Sequence, residues 1–248
     1  MNFTGKHVVV TGASTGIGRA TAEKVLALGG RVTVIARSAD KLTALAEAHG
    51  DAVHVAAADV ADPVAQIAAL NAAAAFAPID GLFCNAGTGG TFAPLEHYSD
   101  ANYESLMAVN QHAHFRAVRH VFAAMKARGK GSIVITGSLA SERGMAMNVA
   151  YVMSKHAMLG LARATALEGA AHGVRANCIV PGFIDTPLMD GIPPEQLTHL
   201  AGNVPQGRLG SSEETANVVA FLLSDEASHV TGQSWAVDGG VLGTLAVR

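Results

Sequence analysis

Short, almost continuously apolar runs alternate along the chain with longer stretches in which apolar residues recur at helical spacing. His7-Val-Val-Val-Thr11, Arg31 to Ala36, Ala52 to Ala57, Gly81 to Cys84, Gly131 to Thr136 and Val174 to Val180 are runs of the first kind. Unbroken apolar character in short β-branched runs predicts parallel strands buried on both faces. Ser234 to Val237 reads as a short last strand. Between them, Arg19 to Leu28, Ala39 to His49, Pro63 to Phe76, about Asp100 to Ala127, Ala150 to Ala171 and Glu213 to Leu223 read as helices. Thr88 to Ser99 reads as a loop, and Pro187 to Gly210, rich in Pro, Gly and Met, as a loop with short helical pieces. The alternation predicts an α/β architecture.

Composition narrows this without redirecting it. The 248 residues suit one large or two small domains. No Pro/Ser/Gly-rich linker or charge run divides them, so residues 1–248 are read as one α/β domain. The hydrophobic fraction of 50%, with many alanines, suits helices packed tightly on a sheet. Seventeen basic against twenty acidic residues leave a net charge of −3. No basic stripe suggests nucleic acid, and no basic amphipathic helix or apolar run near ~20 residues suggests a membrane. Met1 to Lys6 is polar and leads straight into a strand, without a signal peptide, so a cytoplasmic location is expected. Cys84 and Cys178 sit in apolar runs and read as buried free thiols. The histidines form no strong metal motif; His112 and His114, two apart, do not share a helix face, and no metal is expected.

Candidate chemistry begins after the first strand. Thr11-Gly12-Ala13-Ser14-Thr15-Gly16-Ile17-Gly18 is a glycine-rich turn between a strand and a helix. Its spacing is G-x-x-x-G-x-G, and its context suits a dinucleotide pyrophosphate at a helix N-terminus. A plain strand-to-helix connection is the other reading. Past the second strand, where an acidic residue would hold the adenosine ribose, the chain has Ala36, Arg37 and Ser38. Arg37 suits a ribose 2′-phosphate and hence NADP, or else it begins a solvated helix. Asp59-Val60 ends the third strand; Asp59 either caps the next helix or bonds adenine. Asn85-Ala86-Gly87 ends the fourth.

Tyr151 and Lys155 are four apart on one helix, so they share a face one turn from each other. Ser138 follows the apolar run that ends the fifth strand, and open α/β sheets bind ligands at such strand ends. An ammonium ~4 Å from a phenol, at an effective dielectric of ~20, favours the phenolate by about 4 kcal/mol. Such a tyrosine could trade a proton with an alcohol or carbonyl oxygen, with Ser138 holding that oxygen. The trio lacks a hydride donor. Asn110 lies inside the long fourth helix, either as a satisfied interface amide or as part of the site.

Taken in order, Thr11-Gly12-x-x-x-Gly16-x-Gly18, Asp59, Asn85-Ala86-Gly87, Asn110, Ser138, Tyr151-x-x-x-Lys155 and Pro181-Gly182-x-x-x-Thr186 resemble the short-chain dehydrogenase/reductase family over essentially the whole chain. The resemblance implies a Rossmann fold, a doubly wound parallel sheet of about seven strands with helices on both faces. It implies Tyr151 as acid/base, Ser138 as the group polarising the substrate oxygen, and Lys155 as the residue that binds the nicotinamide ribose and activates the tyrosine. Asn110 would hold a water that continues the proton relay. Cofactor contacts would come from Gly12, Ser14, Thr15, Gly16, Ile17 and Gly18, from Arg37 and Ser38, from Asp59 and Val60, and from Asn85, Ala86 and Gly87. Further contacts would come from Tyr151, Lys155, Pro181, Gly182, Ile184 and Thr186, with Ile184 acting through its backbone.

The expected activity is NADP(H)-preferring interconversion of a carbonyl and a secondary alcohol, with NAD(H) as the other cofactor. A homotetramer or homodimer is implied, and Ala157, Gly160, Ala164 and Ala171 would allow close helix approach within or between subunits. A pocket drawn from Thr88–Phe92, Leu139–Met147 and Phe183–Leu200, within a substrate loop of about residues 183–210, holds Phe92, Leu139, Met145, Met147, Phe183, Leu188 and Met189, so the small-molecule substrate should have an apolar body. Glu142 and Arg143 either add a polar contact or face solvent. The alternatives are a 3-ketoacyl-carrier-protein reductase, using Arg116, Arg119, Arg128 and Lys130 toward an acidic carrier, an NAD-dependent alcohol dehydrogenase, and a redox sensor that binds NADP(H) without turnover.

Overall fold

Seven parallel strands form one sheet in the order β3-β2-β1-β4-β5-β6-β7. The computed structural model describes residues 1–244. The strands are β1 (His7–Thr11), β2 (Arg31–Ala36), β3 (Val53–Ala57), β4 (Gly81–Cys84), β5 (Gly131–Thr136), β6 (Val174–Pro181) and β7 (Ser234–Val237). The order turns back between β1 and β4, which places a crevice at the C-terminal ends of those two strands.

Helices cover both faces, as a sheet apolar on both sides requires. On one face α1 (Gly16–Ala27), α2 (Ala39–His49) and α8 (Ser212–Leu223) bury Val25, Leu42, Leu45, Val219 and Leu222 against Val8, Val10, Val34 and Phe83. On the other, α3 (Pro63–Phe76), α5 (Ala113–Arg128) and α6 (Val149–Ala170) bury Leu70, Ala73, Val121, Met125, Met158 and Ala162 against Val9, Leu82, Ile133 and Ile135. The alternating inward directions of successive strand residues divide the two cores. Cys84 and Cys178 are free and buried among these side chains, and burial pushes the Cys178 thiol up to about 12.

The structure departs from the expected elements in one instructive place. The single helix expected over about Asp100 to Ala127 is α4 (Asp100–Met107), a π turn over Ala108–His112, and α5. Asn110 sits inside the π turn and is fully buried. One extra residue in a turn reorients the chain locally, and π bulges of this kind occur often at functional sites. The segment after β6 holds a short turn at Pro187–Met189 and α7 (Pro194–Gly202). It is tied back by a bridge between Ile184 and Gly210, and by the Ser211 capping box that starts α8.

Candidate active site

The glycine turn is built around contacts that leave no room for side chains. A Cβ on Gly18 would lie 2.3 Å from the Gly12 carbonyl oxygen, and one on Gly12 would lie 2.8 Å from Ala86 Cα. Gly12 also has φ +69, in the left-handed region that favours glycine. Asn85 closes the turn by donating from Nδ2 to the carbonyls of Thr11 (3.2 Å) and Gly12 (3.3 Å). Thr11 Oγ1 in return accepts the N–H groups of Asn85 (2.9 Å) and Ala86 (3.2 Å). The β1 and β4 ends are thus stitched together at the crevice. The first turn of α1 has no side-chain cap at Thr15 and no acidic residue, whereas α3 is capped by Asp62 and α8 by Ser211. Its N–H groups and the positive end of its dipole are open to an anion, which fits a dinucleotide pyrophosphate.

Farther along the crevice, Arg37 is exposed and Ser38 starts α2. Asp59 does not cap α3, as one reading had it; Asp62 takes that role, accepting from Val64 and Ala65. Asp59 Oδ1 accepts from Ala61 N–H at 2.9 Å, so the carboxylate is fixed beside Val60. Arg116, which sequence reasoning placed on a carrier-binding surface, holds this turn through the Val60 carbonyl (2.8 Å) and Gln66 (2.9 Å).

At the other end of the crevice, α6 brings Tyr151 and Lys155 over the C-terminal end of β5, where Ser138 begins the link to α6. Asn148 caps α6 and bonds the Gly89 carbonyl at 2.7 Å. Lys155 is buried, and its Nζ donates to the Thr136 carbonyl at 3.0 Å. The ammonium lies 5.6 Å from the centre of the Tyr151 ring. A Cβ on Gly87 would sit 3.6 Å from Asn110 Oδ1 and 3.8 Å from Lys155 Nζ, so these groups converge on Gly87. The Asn110 amide is held by Thr88 and Ser154: Oδ1 accepts the Thr88 N–H and Nδ2 donates to the Thr88 carbonyl, each at 2.9 Å, and Nδ2 also donates to Ser154 Oγ at 3.5 Å. Ser138 Oγ accepts from Ala140 N–H at 3.2 Å, leaving its own proton free to donate.

Pro181 ends β6, and a Cβ on Gly182 would lie 2.7 Å from Asp238 Cα. The bridge beyond it uses the Phe183 carbonyl and the Asp185 N–H, not the N–H or carbonyl of Ile184. Thr186 faces Gly16 across the crevice, its side chain 3.3 Å from where a Gly16 Cβ would be. The crevice mouth is apolar: Phe92, Met145, Met147 and Leu188 are exposed, and Leu139, Phe183 and Met189 half-buried. Leu188 reaches to 3.8 Å from a Cβ placed on Gly89, so the two lips meet. Met147 is the one non-glycine residue with positive φ (+67) among the described residues. Its carbonyl accepts from Ala93 N–H at 2.7 Å. Glu142 and Arg143 turn from the mouth to Ser234 and the Leu242 carbonyl.

Sequence reasoning considered His114 only as a metal ligand and set it aside. It is 2% exposed, with Nε2 2.7 Å from the Ala86 carbonyl and Nδ1 unpartnered. Burial, and then the nearby Lys155 charge, push it down to about 4, so it is a neutral donor that holds Ala86 in place. It lies on the buried face of α5 with Ala113, Ala117, Val118, Val121 and Met125. A cavity of about 590 Å³ lies at the N-terminal ends of β1, β4, β5 and β6, opposite the crevice, and contains none of the candidate catalytic or cofactor residues. Its walls include the Lys130–Asp80 ion pair. Among the described residues no group of three or more His, Cys, Asp or Glu side chains is placed to hold a metal ion, and no helix is long and apolar enough to cross a membrane.

The family model described as enoyl-(acyl carrier protein) reductase matches residues 12–242. The chain belongs to the short-chain dehydrogenase/reductase family. It is similar to the 2-dehydro-3-deoxy-L-rhamnonate dehydrogenase (NAD(+)) of Sphingomonas sp. (strain SKA58), at 34% identity over 96% of each chain. It is also similar to the levodione reductase of Leifsonia aquatica, at 36% identity over 96% of this chain and 94% of that one. A gluconate 5-dehydrogenase from Burkholderia cenocepacia J2315, solved with NADP and tartrate, superposes with a TM-score of 0.92 at 29% identity, over 98% of both chains. As a member of this family the chain is an NAD(P)-dependent oxidoreductase acting on CH–OH and carbonyl groups, and the reading as a sensor without turnover is set aside.

Proposed function

We propose that this enzyme is an NADP(H)-preferring oxidoreductase that interconverts the carbonyl and secondary alcohol of a small substrate with an apolar body, with Tyr151 as the general acid/base. One observation carries the reading: Lys155, buried and anchored to Thr136, lies 5.6 Å from the Tyr151 ring at the same strand end as Ser138. NADP(H), when bound, supplies or accepts the hydride. In the reductive direction the Tyr151 hydroxyl gives its proton to the substrate oxygen as that oxygen gains negative charge. Ser138, whose hydroxyl proton is free, donates a hydrogen bond to the same oxygen. Lys155 favours the phenolate left behind, because a desolvated ammonium acts through a low local dielectric. The Asn110 side chain is committed to Thr88 and Ser154, so a water relaying protons to Lys155 binds the Asn110 main chain, which the π turn perturbs.

Gly12, Ser14, Thr15, Gly16, Ile17 and Gly18 take the pyrophosphate, Arg37 and Ser38 the 2′-phosphate, and Asp59 and Val60 the adenine. Asn85 supports the glycine turn directly, while Ala86 and Gly87 border the nicotinamide ribose. Pro181, Gly182, Thr186 and the Ile184 backbone hold the carboxamide end, and residues 183–210 cover the substrate. The exposed rim of Phe92, Met145, Met147 and Leu188 supports an apolar substrate body. Subunits associate as a dimer or tetramer, and the outward side of α6, with Met153, Gly160, Ala164 and Leu167 exposed, supports this.

A 3-ketoacyl-carrier-protein reductase is the second reading, favoured by the acyl-carrier description of the matching family model. Its basic surface is dispersed, however. Arg116 is bonded to Val60 and Gln66, and Arg119 lies over Phe115. Arg128 and Lys130 pair with Asp80 at the N-terminal end of β5, about 17 Å of strand from Thr136.

Titration with NADPH and NADH, and reduction of cyclohexanone, ethyl acetoacetate and a ketoacyl thioester, test the reading. NADPH should bind more tightly than NADH, and Arg37→Ala should remove that preference while leaving NADH binding within about twofold. Tyr151→Phe should lower kcat by about 10² or more with cofactor binding intact. An NADH preference unaffected by Arg37→Ala would reassign the cofactor, and full turnover by Tyr151→Phe would end the mechanism.

A further inference from the structure

A hydroxyl with no role in the proton transfer lies between two of the candidate catalytic residues. Ser141 is 2% exposed, in the short turn Leu139–Ser141 that follows Ser138. Its Oγ donates to the main-chain carbonyl of Lys155 at 2.7 Å and accepts the N–H of Ser138 at 3.1 Å. Lys155 lies inside α6, where a carbonyl already has its helical partner, so the helix itself does not need this bond. Lys155 is thereby held twice, through Nζ to Thr136 at the end of β5 and through its carbonyl to Ser141 in the link that follows. A closed ring results, running from Thr136 to Lys155, to Ser141, to Ser138 and back through Gly137. Gly137 makes the ring possible, since a Cβ there would lie 2.6 Å from Ser141 Oγ.

We propose that Ser141 is a positioning residue that fixes the Ser138 hydroxyl relative to Tyr151 and Lys155. It rests on the roles proposed above for those three residues. Ser138 and Tyr151 belong to different elements, and both must reach one substrate oxygen; small misplacements of such groups cost rate more than binding. The other bonds of the turn are local, from Ser141 N–H to the Ser138 carbonyl and from Glu142 and Arg143 N–H to the Leu139 carbonyl. They shape the turn without tying it to α6. Ser141 makes that tie.

Ser141→Ala and Ser141→Thr, beside Tyr151→Phe, test this with the fastest-reduced ketone of the panel above. Ser141→Ala should lower kcat by about tenfold, with NADPH affinity within twofold and a melting temperature close to wild type. Ser141→Thr, which keeps the hydroxyl, should recover most of kcat. Wild-type kcat in Ser141→Ala would overturn the proposal. So would a joint fall of kcat, NADPH affinity and melting temperature that threonine does not rescue. If the alanine variant does not fold, Ser141→Cys, of similar size and a weak donor, carries the same expectations. An active Tyr151→Phe enzyme would remove the underlying reading; an inactive one beside an unimpaired Ser141→Ala would remove this inference alone.

Discussion

His114 shows how much a single residue can depend on its surroundings. Met158, Ala113 and Val118 pack in the same core, and Lys155 lies close enough to repel a proton. In the unfolded chain the imidazole titrates near its usual 6.5, while in the fold it is pushed down to about 4. Between those values the unfolded state binds a proton that the folded state does not. Stability should therefore be complete above about pH 6.5, fall as pH drops toward 4, and level off below. The loss amounts to about 3 kcal/mol. Urea unfolding across this range should show a steeper decline for wild type than for His114→Gln, which keeps an N–H toward Ala86 but does not titrate. His7, also pushed down by burial, contributes in the same direction and remains in both proteins. Equal slopes would show that His114 is protonated or hydrated in the fold. Ser138, Tyr151 and Lys155 were readable at this scale because their order and spacing are carried by neighbouring elements. The tethering roles of Thr11, Thr136 and Ser141 were not, because a serine or threonine near a strand end has no spacing that distinguishes a tether from a surface hydroxyl.

At the scale of elements, most boundaries could be read from apolar runs and punctuation. β1, β2, β4, β5, α2 and α3 occupy the expected residues, because Gly, Pro and Ser bound strongly apolar stretches there. The π turn was not legible: helical periodicity over ten or more residues barely registers one extra residue. That residue buries Asn110 and lets it hold both polar atoms of the Thr88 backbone. α7 is the opposite case, since it buries none of its residues and starts with Pro193 at its cap and Pro194 as its first residue. Its hydrogen bonds should open at little cost. Amide exchange should therefore be fastest over Pro194–Gly202 among the helices from α1 to α8, and slow when NADPH and substrate are both present. Protection equal to that of α6 would argue against a covering segment. At the same scale, Arg116 and Arg119 lie in the first half of α5, whereas Arg128 and Lys130 pair with Asp80 at its far end.

For the whole molecule, the strand order brings the ends of β1, β4 and β5 together and so assembles Gly12, Asn85 and Ser138 from distant parts of the chain. The outward side of α6 carries Leu167, 82% exposed, beside Gly160 and Ala164, which add little bulk. A second subunit approaching this side would bury Leu167 and Met153. Sedimentation should then give the mass of a dimer or tetramer, and Leu167→Glu should shift it toward smaller species while leaving the unfolding midpoint of the separated subunit within a few degrees. A monomeric wild type would show that these small residues serve only the packing of α6. By itself the sequence determined the α/β class, the glycine turn, the trio of Ser138, Tyr151 and Lys155, and Arg37 in place of an acid. Each rests on local periodicity, or on side-chain types at short spacing. Only the tertiary structure decided that Asn85 braces the glycine turn, that Arg116 supports the Val60 turn, that Glu142 and Arg143 face away from the mouth, and that Ser141 joins Ser138 to Lys155. Apart from the local bond between Ser141 and Ser138, those are hydrogen bonds between residues 14 to 99 positions apart in the chain, and their geometry exists only once the fold has brought them together.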